Sequence, residues 1–423
     1  MTDREAPPIV FRDAALLDPE ASALAAGRSI LVESGRIAEI GDRTLAAPGA
    51  LEVDLRGRTL MPGLIDAHVH VNAVTGDLSA IPEWSASYVA ARASHVLRGM
   101  LLRGFTTVRD VAGADYGLAD AVDEGWFEGP RLIFGGKALS QTGGHGDARH
   151  RGRDAIECCY CSPALNRVCD GVAEVRKAAR DEIRRGARHL KIMLGGGVAS
   201  PTDRVDSVQF SIGEIEAVVE EAENANLYVT GHAYTAEAVN RGLRCGVRCI
   251  EHGNLIDGSS VELFLERRAF YVPTLATYAA LAEHGLEFGL PAASHRKVFE
   301  VLDKGRNALE LAHRAGVEIA YGTDLLGGMH EYQLSEFQLR SEVQPLSSIV
   351  RAATSTAARL LRMEGQVGRI APGAFADLLV VDGDPLTDLS ALTNPEQRLP
   401  LIMKAGRVIK DALALVPERG AAR

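Results

Sequence analysis

The sequence predicts an α/β fold: a closed (β/α)8 TIM barrel with a small β-sandwich domain built from both chain ends. Three observations lead there. Eight β-rich runs fill the middle of the chain, amphipathic helical stretches separate them, and the two ends carry only short strands and turns. The runs are LIDAHVH (64–70), TTVRDVA (106–112), RLIFGGKALS (131–140), HLKIMLGG (189–196), LYVTGHAY (227–234), VRCIEHG (247–253), FYVPTLAT (270–277) and VEIAYGTD (317–324). Each ends in polar residues able to do chemistry, and eight such units over roughly 260 residues match the usual size of a closed barrel.

The helices between them are read from spacing. Val172, Val175, Ala179 and Ile183 recur at helical intervals, as do Ile212, Ile215, Val218, Val219 and Ala222. Gly186 and Gly246 stand just before strands, where a left-handed helix cap is expected. The terminal segments, 8–60 and 365–412, read as short strands that could pair with each other. The domain reading is therefore 1–60 plus 365–423 for the β-sandwich and 61–364 for the barrel. Two connections are long, 141–171 and 325–335. Both would lie at the C-terminal face of the barrel, where long loops are usually functional.

Composition excludes several classes. The chain has 423 residues, 46% hydrophobic and 24% charged, enough for a large core. A net charge of −10 does not favour a nucleic-acid partner. No apolar run nears the ~18 residues that span a bilayer, and the N-terminal MTDREAPPIV lacks the apolar stretch of a signal peptide. Six cysteines do not make a disulfide scaffold, so a cytoplasmic protein without membrane attachment is the expectation.

His68 and His70 form an H-x-H pair at the end of an apolar run. Alternate strand residues point to one side, so two imidazoles at a barrel mouth can grip one metal; taken alone, they also read as two ordinary polar histidines. His232 lies near the end of the fifth strand, His252 near the end of the sixth, and Asp324 ends the eighth. Strand ends of a closed barrel converge on one pocket, which makes five potential ligands a better reading than scattered strand-capping polars. Lys191 sits in the apolar HLKIML, on the inward parity if Met193 also points inward. A buried ammonium tends to lose its proton, and a neutral amine can take up carbon dioxide as an anionic carbamate able to bridge two cations. The alternative is a lysine reaching to the barrel mouth.

Tyr234 shares the parity of His232 and should face the same pocket, where its hydroxyl could meet a substrate carbonyl or carboxylate, unless the ring only packs under the loops. Arg149, His150, Arg204 and His330 are further candidates for the pocket wall. Cys158, Cys159, Cys161 and Cys169 contain one C-x2-C pair and no second, so ordinary thiols are preferred over a structural zinc site. Gly195, Gly196 and Gly197 lack the Lys-Ser/Thr of a phosphate loop, and a turn beside the metal site is preferred.

Taken in order, MPGLIDAHVH, KIMLGGGVASPTD, GHAY, IEHGNLID, YGTD and GRIAPGAFADLLVVDGDP resemble the amidohydrolase superfamily over nearly the whole chain. TGGHGD, GHAYTAEAV and CGVRCIEHGNLID resemble its prolidase-like, imidazolonepropionase-related dipeptidases. The resemblance implies two zinc ions per chain (other divalent ions being alternatives), one on His68 and His70 and one on His232 and His252, with a carboxylated Lys191 bridging both. It implies that Asp324 touches one metal and handles the proton, that His145 of TGGHGD contacts the substrate near the scissile carbonyl, and that the chain forms a homo-oligomer, an octamer among the forms. Two cations about 3.5–4 Å apart can share a hydroxide that attacks an amide. Asp324 would then pass the proton to the leaving amine.

The expected activity is hydrolysis of dipeptides or N-acyl amino acids to release a C-terminal amino acid. A close rival is an amidase on N-aryl-acyl amino acids such as ochratoxin-type toxins. Ring opening or deamination is a second class, and Lys191 argues against its mononuclear members. A metal-free homologue would lose ligands that this chain keeps.

Overall fold

A computed structural model of the chain describes residues 7–150, 152, 162–200, 202–414 and 416. The chain divides into two compact units: Met1–Ile65, Met100–Thr107 and Pro345–Arg423 make one, and Asp66–Gly99 and Val108–Gln344 make the other.

The first unit holds an eight-stranded sheet. Its order runs Arg407–Asp411, Leu401–Lys404, Leu378–Val381, Thr59–Pro62, Ile9–Asp18, Ala23–Glu33 and Arg36–Gly41, with Leu51–Asp54 also paired to Ile9–Asp18. The two chain ends meet where Thr59–Pro62 pairs antiparallel with Leu378–Val381. Phe11, Ile30, Ile37, Leu60, Leu378 and Met403 share its buried apolar cluster. That pairing joins strands from the two ends of the chain into one hydrogen-bonded sheet.

The remaining strands fall into two sheets, one of Leu64–Val69, Phe105–Asp110 and Arg131–Phe134, the other of Asn166–Val168, Ala138–Ser140, Leu190–Met193, Val229–Thr235, Cys249–Leu255, Phe270–Val272 and Glu318–Ile319. The pairings of the larger sheet are all parallel. The closed barrel ladder expected from the sequence is therefore interrupted among the described residues, and the reason is local. The run 131–140 breaks at Gly135–Lys137, where Gly136 adopts a φ of +74°. Its first half belongs to the small sheet, and Gly135 N–H still donates to Asp110 O at 2.9 Å. Its second half pairs with the Leu190–Met193 strand. At the other seam, single bonds replace a ladder: Ala67 N–H donates to Tyr321 O and Asp324 N–H to His68 O, each at 2.8 Å.

The helices form where spacing placed them. Gly171–Arg184 buries Val175 and Ala179 and Ile212–Asn224 buries Ile215, Val218, Val219 and Ala222, while the first residue of each spaced set, Val172 and Ile212, stays exposed; Ser211 and Glu214 close a reciprocal capping box at the second. Gly186 and Gly246 have φ of +97° and +96°, the left-handed geometry expected of them. The run 270–277 is shorter as a strand, because Thr274 turns left-handed at +49° and the Leu275–His284 helix begins. Among the described residues no helix is long and apolar enough to cross a membrane.

Candidate active site

The strand register aims the side chains. Met193, His232 and Glu251 lie level across three neighbouring strands, as do Lys191, Thr230 and Cys249. Alternation would then place His252, next after Glu251, on the opposite side of the sheet. It does not stay there. His252 has a φ of +73°, and Asp324 one of +54°. These left-handed turns, costly for residues with a Cβ, bring both side chains to one pocket with His68, His70, Lys191, His232, His145 and Tyr234.

At its floor, His68 Nδ1–H donates to Glu251 Oε2 at 2.7 Å and His70 Nδ1–H donates to the Ala112 carbonyl at 2.9 Å. Both rings therefore turn Nε2 into the pocket. These two nitrogens stand 3.3 Å apart, and Asp324 Oδ1 lies 3.2 Å from one and 3.1 Å from the other. Three lone-pair donors facing one another require a positive charge between them. Burial disfavours the charge of Asp324, but the His68 and His70 imidazoles outweigh it and hold its carboxyl well below the usual range. Burial likewise pulls His70 down, and Asp324 outweighs it, so His70 is raised. Imidazole nitrogens with a carboxylate oxygen are a donor set that suits a divalent metal such as zinc.

The second half of the pocket holds His232, His252 and Lys191. His232 Nε2–H donates to Gly196 O at 3.1 Å, leaving Nδ1 bare. His252 Nδ1 lies 2.8 Å from the Thr274 hydroxyl. The rings of His232 and His252 stand 4.5 Å apart, and burial holds both well below the usual imidazole range. Lys191 is buried without a hydrogen bond or ion pair among the described residues, and burial lowers its pKa. Tyr234 receives the Tyr278 hydroxyl at 3.1 Å.

Sequence reasoning missed the support beneath these groups. Glu251 is a buried anion that also accepts Arg109 Nη2 at 2.6 Å and the Thr230 hydroxyl. Burial opposes its charge, but Arg109 and His68 outweigh it and keep the carboxyl well below its usual range. Asp66 accepts Thr323 Oγ1 at 2.7 Å and Gln333 Nε2 at 2.8 Å, bracing the strand that carries His68. Asp110 accepts Val71 N–H at 2.6 Å; burial pushes its pKa up to about 6. With His252 taken as facing the pocket, alternation turns its neighbour Glu251 outward, which hid Glu251 from the sequence pattern.

Three candidates do not line the pocket. Arg204 is 82% exposed and paired with Asp206 at 2.6 Å. Arg149 is folded onto Asp147 at 2.5 Å. His330 is buried below, its Nε2–H donating to Ala73 O at 3.2 Å. In each case a nearer partner takes the side chain. His150 does reach the pocket wall. Cys169 is buried and reduced; Cys158, Cys159 and Cys161 lie outside the described residues. Gly197 has a steric role, since a Cβ there would come within 2.1 Å of the His145 ring.

Known proteins share this arrangement of chain. Ochratoxinase of Aspergillus niger is 32% identical over 368 residues, covering 83% of this chain and 75% of its own. A solved prolidase, in complex with N-methylphosphonate-L-proline, is 47% identical with a TM-score of 0.93, over 96% of this chain and all of its own. A solved Xaa-Pro dipeptidase with methionine in its active site is 28% identical with a TM-score of 0.86, over 95% of this chain and all of its own. Residues 59–409 match the amidohydrolase family, and the chain belongs to it.

Proposed function

We propose that this amidohydrolase cleaves the amide bond of dipeptides or N-acyl amino acids and releases the C-terminal amino acid. The observation that carries the reading is the convergence of His68 Nε2, His70 Nε2 and Asp324 Oδ1 within 3.3 Å, in a pocket whose wall offers Tyr234 and His145 to a substrate. The similarity to a prolidase and an Xaa-Pro dipeptidase supports it. In this reading the seven-stranded and three-stranded sheets are arcs of a (β/α)8 barrel, and the terminal strands form its β-sandwich companion. His68 and His70 would hold one zinc ion and His232 and His252 a second, with Lys191, carboxylated, as the anionic group that would serve both. The metals supply an activated water and polarise the scissile carbonyl. Asp324 takes the proton from the attacking water and returns it to the leaving amine. Tyr234 and His145 orient the carbonyl and the carboxylate beside it.

A buried carboxylate needs donors around it, and its binding energy also places the carbonyl. Amidating or esterifying the substrate's C-terminus is therefore expected to lower kcat/KM roughly 10–100-fold, the worth of one charge-assisted hydrogen bond. Tyr234→Phe and His145→Ala should hurt the free acid much more than the blocked substrate. Equal cleavage of both substrates in a kinetic comparison sinks the peptidase reading and leaves a general amidase. The similarity to ochratoxinase favours a second reading, an amidase on N-aryl-acyl amino acids; a panel of dipeptides and N-aryl-acyl amino acids separates the two.

Glu251→Gln tests the metal reading without relying on turnover. It removes the anion that fixes His68, and metal affinity measured by chelator competition is expected to fall roughly 10–100-fold. Unchanged affinity would show that His68 is oriented without it.

A further inference from the structure

The segment after Leu190–Met193 folds back on itself and carries polar side chains that the proposed reaction does not use. Gly195 and Val208 bridge antiparallel, and Gly196 N–H donates to Ser207 O at 2.9 Å. Inside this turn lies Asp203, its side chain only 3% exposed. It accepts the Ser200 hydroxyl on Oδ1, and Gly197 N–H at 3.1 Å and Gln209 Nε2 at 2.9 Å on Oδ2. Lys297 reaches in from the Ala292–Ala315 helix. Its ammonium donates to the carbonyls of Gly197, Ser200 and Asp203 at 2.8, 2.9 and 2.9 Å and stands 3.5 Å from Asp203 Oδ1. All three of its protons are used, and the buried carboxylate has its counter-charge.

The chain of bonds ends at His145. A carboxylate can only accept, so Ser200 Oγ is the donor to Asp203. The hydroxyl must then accept from His145 Nδ1–H, 3.0 Å away. That fixes the tautomer and leaves Nε2 as the nitrogen available to a ligand. Gln209 holds the same residue from its backbone, accepting His145 N–H at 2.8 Å while its amide bonds Asp203. The ring is pressed between Gly197 and His232, stacked on the latter at 4.1 Å.

We infer that Asp203, acting through Ser200 and Gln209, is a positioning residue that fixes the orientation and tautomer of His145, with Lys297 anchoring the loop that carries them. The inference rests on the reading of His145 as a substrate contact. A double-mutant cycle in the full-length, zinc-supplemented protein tests it. Ser200→Ala and Asp203→Asn are each expected to lower kcat/KM for the best dipeptide about tenfold or more, as misplacement of a contact does. In a His145→Ala background each should change it by no more than about twofold. Ser200→Thr, which keeps the hydroxyl, should restore most of the loss. Losses that persist undiminished in the His145→Ala background overturn the inference, because they place Asp203 and Ser200 at some other task. Histidine nitrogen NMR is the readout that needs no turnover, with the His145 signals identified by their disappearance in His145→Ala. The expected result is a proton on Nδ1 in the wild type and loss of that preference in Ser200→Ala. A wild-type proton on Nε2, or no change in Ser200→Ala, overturns the inference. If neither dipeptides nor N-acyl amino acids are hydrolysed at all, the proposed function fails, and the same NMR comparison made on Asp203→Asn, with loss of the Nδ1 preference expected and no change overturning the inference, still decides the role of Asp203.

Discussion

Lys191→Ala is expected to cost the protein its metal along with its activity. Elemental analysis should find two divalent ions per chain in active wild-type protein and at most one in the variant. Loss of an outer partner of a metal ligand costs roughly 10–100-fold, and removal of the group between two ions should exceed that in both metal affinity and turnover. Lys191 is buried at the level of Thr230, with no protein group bonded to its amine among the described residues. A lysine kept for an ion pair would have had one. Short carboxylic acids, added to the variant, should return part of the activity by placing a carboxylate where the proposed carbamate would stand. If the variant keeps both ions and its turnover, Lys191 is only a side chain reaching the pocket mouth, and the two-metal reading falls with it.

The second large effect is expected of Asp324→Asn. The amide keeps the size and polarity of the side chain and removes the group that moves the proton. Turnover should fall by roughly 10²–10⁴, the usual worth of general acid–base catalysis, while elemental analysis finds the metal largely retained on the histidines. The position favours a proton carrier. Its oxygens sit within 3.2 Å of two imidazoles and 3.8 Å of a third, and its backbone is turned left-handed to put them there. Near-normal turnover in the metal-loaded variant would move that role to another residue.

Much of this site was legible in the sequence because the chemistry sits on strand ends. His68 and His70 follow from alternation alone, and the run containing Lys191 reads as buried. What the pattern could not show is backbone that departs from it. Alternation from Glu251 points His252 away from the pocket, and only a φ of +73° returns it. The break at Gly135–Lys137 is equally silent, since RLIFGGKALS reads as one strand while its halves join different sheets. Arg149 and Arg204 lie outside the pocket lining for a different reason. Each has an aspartate two residues away, Asp147 and Asp206, that takes the guanidinium. That spacing was visible, and a nearer acid should have counted against both.

The pairing of Thr59–Pro62 with Leu378–Val381 bears on how the chain is born. On a ribosome adding 5–20 residues per second, the first strand waits about 15–60 s for its partner, which lies roughly 300 residues downstream. The strands of the larger sheet follow one another with helices between, so most of their partners arrive within a few tens of residues. The N-terminal strands emerge first and complete their sheet last. Through that interval Thr59–Pro62 is an open edge of apolar residues, the kind of surface that recruits a neighbouring nascent chain.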